Sequence, residues 1–340
     1  MGISGEIQVV VGGQEVTPCA DMKLGDLTVL VGPQGAGKGS FLQSLWAEFN
    51  GRRTLMRGRH EVYGARKTPR LRLDGQAENE KAFFIPARRD LALQAFPKDL
   101  FCDQFAPPAY YDFFDVLREY LCGVCASNPT PDDGMIPGAI LDQVSRFVLE
   151  GGSLVCGHSN GIALQAEEGM SRPLLSLSLG QLSFVSLMLG ACAAIHSQKK
   201  NPSERITRVL IEEPELGLHP LGVLAAMGLV LMLLDRGISV VLSTHSPAVI
   251  DVIWGLRLIQ GHRGTPLDAA EALMLSGEGA EDLVRSALTK SYRTYYFSLD
   301  GAVRDISSLD PGSEDPLISG WGGLTGISDH IGEVVSRVVQ

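Results

Sequence analysis

A glycine-rich segment with one lysine is the first part of this 340-residue sequence whose residue types could do chemistry. Its spacing, with Gly32 followed by Gly37 and Lys38, is typical of loops that bind phosphate between a strand and a helix. The glycines let backbone N–H groups converge on an anion, the helix N-terminus adds its positive end, and the lysine reaches the outer phosphate oxygens. The candidate phosphate ligands are Gly32, Pro33, Gln34, Gly35, Ala36, Gly37, Lys38, Gly39 and Ser40.

The residue after the lysine departs from the common pattern. A Ser or Thr at this position normally supplies a hydroxyl ligand for Mg²⁺, whereas this sequence has Gly39 and offers the hydroxyl of Ser40 one position later. The ending Gly-Lys-Gly before Ser or Thr also occurs in adenylate-kinase-like loops. Three explanations stay open: a nucleoside monophosphate kinase, a more loosely held magnesium ion, or a variant with impaired hydrolysis.

A second candidate lies where an apolar strand runs into paired carboxylates. Residues 208–211 are followed by Glu212 and Glu213, as a Walker B segment requires. In such a segment one acid helps to hold Mg²⁺ through water, and the next polarises the water that attacks the phosphate. We assign Glu212 to the metal and Glu213 to catalysis. Taken alone, the pattern would favour a strand that ends in an acidic surface loop.

Two further groups lie at the ends of predicted elements. Val240–Leu242 predicts a buried strand that delivers His245 at its carboxyl end, where ligands collect in parallel sheets. Upstream, Ser178, Gly180 and Gln181 precede a long apolar helix, and a serine and a glycine at a helix N-terminus suit a γ-phosphate. Taken alone, the histidine would more often be structural and the serine an ordinary helix cap.

The elements that must position these groups alternate between strand and helix. Leu27–Val31 predicts a strand before the glycine-rich loop, and Lys38–Phe49 carries apolar residues at helical spacing after it. Strands at Val209–Ile211 and Ile238–Leu242 flank a helix at 220–235. This alternation predicts an α/β fold with a parallel sheet and helices on its faces.

The remaining segments predict smaller elements around this sheet. The stretch 107–150 is helical in pattern, and the two short runs after it predict a β-hairpin. These predicted elements are strands at Ile7–Val11, Ala82–Ile85 and Tyr295–Leu299, a hairpin of Ser153–Cys156 and Gly161–Gln165, and helices at Tyr110–Cys122, Ile140–Leu149, 180–197 and Ile327–Val339.

Composition narrows the class of protein. With 45% hydrophobic and 20% charged residues the chain is expected to fold, and a net charge of −10 argues against a surface that binds nucleic acid all over. The N-terminus lacks the features of a secretory signal, and the longest apolar run, Leu221–Leu234, is too short to cross a bilayer. We therefore expect a cytoplasmic protein without membrane contact. Cys122 and Cys125 form a CxxC pair that we expect to be a buried helix segment rather than a zinc or redox site.

One segment contrasts with the acidic remainder of the chain. Residues 51–72 carry eight Lys or Arg against Glu61 alone. Such a cluster indicates either a DNA-binding patch or a solvated face, and both interpretations stay open. The eight basic residues are Arg52, Arg53, Arg57, Arg59, Arg66, Lys67, Arg70 and Arg72.

The motifs together are far more specific than any one of them. GPQGAGKGS, LSLGQ, EEPELGLHP and STHSP, in this order, resemble the nucleotide-binding heads of the SMC, RecF and OLD-like branch of the ABC-type P-loop ATPases. The resemblance covers roughly residues 5–260. It implies a P-loop NTPase fold with a mixed or parallel sheet, an antiparallel β lobe and a helical insert at about 107–197. Residues 261–340 are then expected to be a C-terminal extension that packs on this head.

The same resemblance implies roles for the candidate residues. In these ATPases each site lies between two subunits arranged head to tail, with ATP and Mg²⁺ held between them. Ser178, Gly180 and Gln181 would then face nucleotide bound to the partner of a homodimer. His245 corresponds to the switch histidine, and Leu216–His219 corresponds to the D-loop.

The biological role is less directly implied. The chain has no heptad stretch long enough for a coiled-coil arm, so we expect a stand-alone ATPase subunit that controls a separately encoded effector or nuclease, as in many bacterial phage-defence and toxin-associated systems. A RecF-like DNA-repair ATPase is the alternative. A transporter subunit is less favoured because such heads usually have Asp-Glu-Pro-Thr after the strand and a clear Q-loop glutamine. Here only Gln94 follows Phe84–Arg88 as a candidate. A kinase would leave LSLGQ, EEPELGLHP and STHSP unexplained.

Overall fold

A six-stranded sheet forms the centre of the computed structural model. Five of its strands run parallel, and the strand at one edge runs antiparallel. In order across the sheet they are β14 (Val303–Asp305), β13 (Tyr292–Phe297), β5 (Leu27–Val31), β12 (Ser239–Ser243), β11 (Arg208–Glu212) and β7 (Ala82–Ile85). The structure describes residues 2–6, 9–11, 14–16, 22–51, 70–74, 80–89, 107–126, 130–132, 134–156, 162–166 and 169–339.

The register of the parallel strands brings their carboxyl ends to one edge of the sheet. Glu212, the last residue of β11, lies beside Ser243 at the end of β12, which in turn pairs with Leu30 of β5. On the other side of β5, Val31 pairs with Tyr296 of β13. The loops that follow these strands therefore meet at a common edge, as expected for a parallel α/β sheet.

Alternating side chains of the sheet enter two separate cores. Leu30, Leu210 and Val241 face the smaller core, whereas Val29 and Ile211 face the larger one. Strands β5, β12, β11 and β7 are buried on both faces, which explains why their sequences are largely apolar runs rather than alternating ones.

The helices cover both faces of the sheet and supply most of the two cores. The first helix packs on the smaller core, and the later helices build the larger core. They are α1 (Lys38–Phe49), α2 (Pro108–Val124), α3 (Gly138–Phe147), α4 (Leu179–His196), α5 (Pro220–Asp235), α6 (Pro247–Gly261), α7 (Pro266–Ala272), α8 (Ala280–Ala287), α9 (Pro316–Ser319) and α10 (Gly326–Val339).

Proline at the first helical position defines the start of several of these helices. Pro220, Pro247 and Pro266 open α5, α6 and α7, where the missing N–H costs no hydrogen bond and the fixed φ suits the helix. His219 caps α5 by accepting the backbone N–H of Leu221. These local signals explain why the helix predicted at 220–235 begins at Pro220; it ends at Asp235, as predicted.

Helix α4 crosses the larger core. Within the described ranges, Leu179–Lys199 is the one helical stretch long and apolar enough to cross a membrane, and 83% of its most apolar window is buried inside the protein. Its apolar character therefore has a structural explanation in the core, because nearly every side chain contacts other parts of the chain. The cytoplasmic location stays a prediction.

Within the part of the chain that the structure describes, three smaller antiparallel sheets accompany the central one. They consist of β1 (Gly2–Glu6) with β4 (Met22–Lys23) and β6 (Arg70–Asp74); β2 (Val9–Val11) with β3 (Gln14–Val16); and β8 (Ser153–Cys156) with β9 (Ile162–Gln165) and β10 (Ser171–Pro173). The predicted hairpin is confirmed in β8 and β9, and the first sheet supplies part of an antiparallel lobe.

The expectation that Cys122 and Cys125 form a buried helix segment was wrong. Cys122 is exposed, because α2 turns Phe113, Leu117 and Leu121 to the core and carries this cysteine on another face. Cys125 is bonded to Cys156 in a disulfide that joins the end of α2 to β8.

The C-terminal region contributes directly to the central sheet. Strand β13 begins at Tyr292, three residues before the predicted start at Tyr295. It starts there because it pairs in parallel with β5, and Tyr292 lies beside Leu27, the first residue of β5. After β13, the turn around Gly301 leads into the antiparallel β14. The boundary at residue 260 stays a prediction, but residues 292–305 do more than pack on the head: they extend its sheet.

Candidate nucleotide-binding site

The candidate residues gather where three neighbouring parallel strands end. The glycine-rich loop follows β5, the paired glutamates follow β11, and His245 follows β12. Backbone hydrogen bonds lock these ends together: Thr244 N–H donates to the Leu30 carbonyl, and Glu213 N–H donates to the Ser243 carbonyl. Residues more than two hundred positions apart in the sequence thereby share one edge.

The glycine-rich loop requires glycine at particular positions. Gly32 has φ of 142°, and a side chain there would place its Cβ 2.2 Å from the Phe297 carbonyl oxygen of β13. Gly37, which has φ of 88°, is the N-cap of α1. The absence of side chains lets β13 approach closely and lets the loop turn into the helix, so that the first N–H groups of α1 face the loop.

Lys38 is held inside the loop. Its side chain is buried, and its ammonium Nζ donates to the carbonyl oxygens of Gly32 at 2.8 Å and Pro33 at 2.9 Å. Burial lowers the pKa of Lys38 to about 8, although the nearby charges of Glu213 and Glu215 act in the opposite direction. A positive charge in this position is placed to meet an anion cradled by the loop.

Gly39 lies directly against Glu212. A Cβ at position 39 would lie 2.6 Å from the Glu212 Oε1 atom and 3.6 Å from its Cδ. The next residue, Ser40, is exposed, and the hydroxyl of Ser44 donates to its backbone carbonyl. The structure therefore brings the residue without a side chain, rather than Ser40, against the acidic end of β11.

Three neighbours fix the Glu212 carboxylate. Its Oε2 atom accepts the backbone N–H of Ala87 at 3.2 Å and the hydroxyl of Tyr110 at 3.3 Å, and Gln43 also donates to the carboxylate. The residue is 8% exposed, and this burial raises the pKa of Glu212 despite the hydrogen bonds. Burial, followed by the charge of Glu212, likewise raises the pKa of Tyr110, which therefore remains a hydroxyl donor.

Glu213 has an unusual backbone conformation. Its φ of 44° lies in the left-handed region that a residue with a side chain seldom adopts. The turn aims its carboxylate at His245, with 3.7 Å between Oε1 of Glu213 and Nε2 of the histidine. Backbone strain of this kind is concentrated at functional sites, where the surroundings over-determine it.

His245 is positioned by the third glutamate of the segment. The Glu215 Oε1 atom accepts both the His245 backbone N–H at 2.7 Å and the Thr244 hydroxyl at 2.8 Å. Burial and then the charge of Lys38 lower the pKa of His245, while Glu213 acts in the opposite direction. The ring is therefore neutral at physiological pH, with one N–H donor and one acceptor nitrogen.

Arg89 ties the end of β11 to helix α4. Its side chain is fully buried and donates to the carbonyl oxygens of Glu212, Glu213 and Pro214 at 2.8 to 3.2 Å. It also donates from Nε to the Ser183 carbonyl at 2.9 Å and from a terminal nitrogen to the Pro86 carbonyl. One guanidinium thus fixes the turn that carries both glutamates.

The start of α4 is built as a capping box. The Ser178 hydroxyl accepts the Gln181 backbone N–H, and the Gln181 side chain accepts the N–H of Ser178. The amide of Gln181 also donates to the Val148 carbonyl and to Glu150. Ser178 is exposed, whereas the Gln181 side chain bonds to Ser178, Val148 and Glu150.

Gly180 packs against the loop that precedes α5. A Cβ on Gly180 would lie 2.1 Å from the carbonyl oxygen of Gly217, which itself has φ of 76°. The two glycines allow the backbone of α4 and the segment Leu216–His219 to touch. Gly180 is therefore explained by this contact within the chain, and Ser178 is the exposed member of the motif.

The predicted residues fall into two groups. Lys38, Glu212, Glu213 and His245 come together at one edge, whereas Ser178 opens α4 on an exposed surface. Other predictions lie outside the described residues: Gln94, six of the eight basic residues, and the side chains of the remaining two, Arg70 and Arg72, in β6.

Several residues that shape the site were missed at the level of sequence. Arg89, Tyr110 and Gly217 act through contacts between distant segments, and no local pattern marks them. Glu215 had a signal, since it follows the paired glutamates by two residues, but its role in holding the His245 loop depends on the fold.

The oxygen ligands at this edge suit Mg²⁺. Among the described residues, no group of three or more His, Cys, Asp or Glu side chains is placed to hold a metal ion by itself. Magnesium is usually held by one or two carboxylates, waters and the substrate phosphates. The Glu212 carboxylate lies beside the first turn of α1, where such an ion would meet the phosphates. A hydroxyl is missing at position 39, so the ligand set departs from the common one.

The α/β sheet of mixed direction, the separate antiparallel sheets and the glycine-rich loop between β5 and α1 agree with the ABC-like P-loop fold that the sequence predicted. Residues 85–251 match the family described as "AAA domain, putative AbiEii toxin, Type IV TA system". The match contains the paired glutamates, the start of α4 and His245, and it begins after the glycine-rich loop. No curated protein sequence matches the chain.

Solved structures of ABC transporter ATPases are similar to this chain at low sequence identity and low TM-score. The cbiO1 protein of Clostridium perfringens, part of the cbiONQ ABC transporter complex, is 15% identical, with 89% of this chain and 88% of that chain covered at a TM-score of 0.36. A bacterial ABC transporter cassette solved as a dimer is 14% identical over 89% and 97% of the two chains, with a TM-score of 0.36. An ATP-binding subunit of an ABC transporter is 12% identical over 96% and 100%, with a TM-score of 0.39. At these TM-scores the likeness says nothing about substrates or partners.

Proposed function

We propose that this chain binds ATP with Mg²⁺ on residues 32–40 and hydrolyses it between two copies arranged head to tail. The observation that carries the proposal is the cluster of Lys38, Glu213 and His245 at the ends of three parallel strands. The loop and lysine suit phosphates, and the glutamate and histidine suit an attacking water beside them.

Each residue of the cluster has a distinct part in this mechanism. Lys38 shifts its ammonium from the loop carbonyls to the outer phosphate oxygens when ATP binds, because the phosphate charge offers stronger hydrogen bonds than neutral carbonyls. Glu213 accepts a proton from the attacking water. His245 is neutral and lies 3.7 Å from that carboxylate. A ring nitrogen of His245 hydrogen-bonds the water and holds it in line for attack.

Magnesium, when bound, neutralises the charge that builds up on the phosphate oxygens. The Glu212 carboxylate is the group of this chain that would hold it, through its position at the end of β11. Ala87 and Tyr110 keep that carboxylate in place, and Arg89 fixes the backbone from which it projects.

The second half of the site comes from the partner subunit in this proposal. Ser178 is exposed at the N-terminus of the eighteen-residue helix α4, whose N–H groups and dipole suit a phosphate. Beside it, Leu179 is 59% exposed, although it is a large apolar residue. An exposed leucine next to an exposed polar cap is consistent with a surface that another copy covers.

A mixing experiment tests the shared site. Lys38→Ala removes the phosphate lysine, and Ser178→Arg blocks the start of α4, so neither homodimer has an intact site. A heterodimer of the two variants recombines one intact lysine-bearing loop with one intact Ser178. We expect equal mixtures to recover about a quarter of the wild-type hydrolysis, because half of the dimers are mixed and each has one working site of two.

The outcome separates a shared site from a site within one chain. Normal hydrolysis by Ser178→Arg alone would show that one chain completes the reaction, and the head-to-tail proposal would be wrong. Failure of the wild-type chain to bind ATP at all would instead overturn the assignment of the loop.

We further propose that the nucleotide state of this dimer controls a separately encoded effector, in the manner of a phage-defence or toxin-associated system. The family description that matches residues 85–251 names a putative toxin of a Type IV toxin–antitoxin system, which supports this context. Closed and open dimers expose different surfaces, so nucleotide can bias a bound partner. Purification of the tagged chain from its native cells with ATP and then with ADP tests this. A partner retained equally in both, or none in either, would contradict it.

A further inference from the structure

The Glu212 carboxylate fills the space that a side chain of residue 39 would need. A Cβ on residue 39 would lie 2.6 Å from the Glu212 Oε1 atom, a distance that real Cβ atoms essentially never show. Any side chain at position 39, including the hydroxyl-bearing one common in such loops, therefore requires the carboxylate to move.

The carboxylate is not free to move without loss. Its other oxygen accepts hydrogen bonds from the Ala87 backbone and the Tyr110 hydroxyl, and Gln43 donates to the same group. The Glu212 side chain is buried, and the Glu212 backbone carbonyl accepts a hydrogen bond from Arg89. Displacing Oε1 from Gly39 would lengthen or break these bonds and leave buried polar groups unpaired.

The length of the acid matters for the same reason. An aspartate at position 212 would end about 1.5 Å earlier, by one carbon–carbon bond, and would leave the space beside residue 39 open. Glycine at 39 and glutamate at 212 are thus complementary: the small residue makes room and the long one fills it.

Ser40 does not substitute for the missing hydroxyl. Successive residues of a helix point about 100° apart, so the residue after Gly39 is turned away from the acid that faces Gly39. In agreement, Ser40 is exposed.

We propose that Gly39 and Glu212 form a matched pair, in which the Glu212 carboxylate takes the place of a hydroxyl at position 39 and itself supplies the protein oxygen that ligates the magnesium ion of Mg–ATP. This inference rests on the proposed function of the loop. The pairing has an unusual consequence. Placing the common serine at position 39 weakens the contribution of Mg²⁺ to ATP binding, and shortening Glu212 to aspartate in the same protein restores that contribution.

Four proteins test the pair: the wild type, Gly39→Ser, Glu212→Asp and the double variant. For each, isothermal titration measures the dissociation constant of ATP with EDTA and with Mg²⁺. The constant in EDTA divided by the constant in Mg²⁺ reports the metal contribution. We expect this ratio to fall at least about tenfold, or about 1.4 kcal/mol, in each single variant and to return to within about threefold of wild type in the double variant.

Two results would overturn the pairing. One is a Gly39→Ser protein whose metal contribution equals or exceeds that of wild type. The other is a double variant whose loss equals the product of the two single losses, because independent sites behave additively.

Folding is a built-in part of the test. If Gly39→Ser fails to fold but the double variant folds, the complementarity is supported by stability alone. If neither folds, Glu212→Asp decides on its own, and an unchanged metal contribution in that variant contradicts the proposal.

A Lys38→Ala arm separates this inference from the proposed function. Wild-type protein that binds ATP in EDTA, loses that binding in Lys38→Ala and shows no tightening by Mg²⁺ would overturn the magnesium role of Glu212 and leave nucleotide binding intact. Wild-type protein that binds no ATP under any condition would overturn both.

Discussion

The two polar regions of this molecule differ in how complete they are within one chain. At the strand ends, Lys38, Glu213 and His245 lie close together, and burial is the main cause that lowers the pKa values of the lysine and the histidine. At the start of α4, Ser178 caps its own helix and faces solvent. Under the proposed function, the first region is the phosphate-binding and water-activating cluster of one chain, whereas Ser178 acts on the nucleotide of a partner chain.

The two regions are nevertheless mechanically joined. Arg89 links the carbonyls of Glu212 and Glu213 to that of Ser183 in α4, and Gly180 touches Gly217 between the glutamates and α5. Under the proposed function, a change at the nucleotide can therefore reach the surface that bears Ser178 through the Arg89 side chain and through the backbone contact of Gly180 with Gly217. The predictions below test, in order of expected effect, whether each region does what this comparison assigns to it.

The largest effect is expected for Glu213→Gln, which removes the proton acceptor and keeps the shape. Hydrolysis should fall about 100- to 10,000-fold, the range typical of a general base, while ATP binding is retained and the ATP-bound dimer accumulates. Phosphate release and light scattering with ATP measure the two effects. Glu271→Gln, the same change on the exposed surface of α7, is the control and should match wild type.

Unchanged turnover in Glu213→Gln would remove this residue from catalysis. Loss of turnover without any increase in dimer would keep the catalytic role but argue that Ser178 does not meet the nucleotide of a partner.

Arg89→Met tests the link between the regions. The substitution leaves several buried carbonyl oxygens without their donor, and we expect the free energy of unfolding to fall by at least about 3 kcal/mol. Denaturant unfolding monitored by circular dichroism measures it. Arg285→Met is the matched control, because its ion pair with Glu281 is exposed and should contribute less than about 1 kcal/mol. Equal losses in the two variants would show that Arg89 does not hold the turn.

The sequence was informative where the signal is local. The strands at Leu27–Val31 and Val209–Ile211 are continuous apolar runs, and the helix at Lys38–Phe49 follows from its period, so the central sheet and its order of motifs were predictable. The match between Gly39 and Glu212 was not, because it joins residues that are far apart in the sequence and meet through the sheet.

The same limit applies to Arg89 and to the strand β13. A second arginine after Phe84–Arg88 has no pattern that marks it as buried, and its partners lie about a hundred residues away. The parallel pairing of Tyr292–Phe297 with the loop-bearing strand depends on the chain returning from the other end of the sequence. Local pattern predicts such an element but does not identify its neighbour.

Gly180→Ala tests the contact between α4 and the segment before α5. The new Cβ would lie 2.1 Å from the Gly217 carbonyl oxygen, so one backbone must shift, and we expect a loss of about 1–3 kcal/mol in the free energy of unfolding. Turnover should fall as well, because Ser178 moves with the helix start. Gly255→Ala in α6 is the control: nothing lies within 4 Å of its Cβ, and alanine there should stabilise by about 0.5–1 kcal/mol. Two variants of equal stability would disprove the close contact.

The smallest expected effect is the pH dependence of ATP binding, which tests whether the charge of Lys38 in a single chain attracts the phosphates. Because burial lowers the pKa of Lys38 to about 8, the ammonium is present below that pH and is lost above it. If ATP binds the charged form, its dissociation constant should rise about tenfold between about pH 7 and about pH 9. His245 does not contribute in this window, since its pKa is lowered and the ring is already neutral. Titrations of the wild type and of Lys38→Ala separate the lysine from all other groups: the variant should bind weakly and with no slope. A flat wild-type profile would mean that the phosphates meet a charge other than Lys38, and the cluster would then lack the part that makes it a nucleotide site.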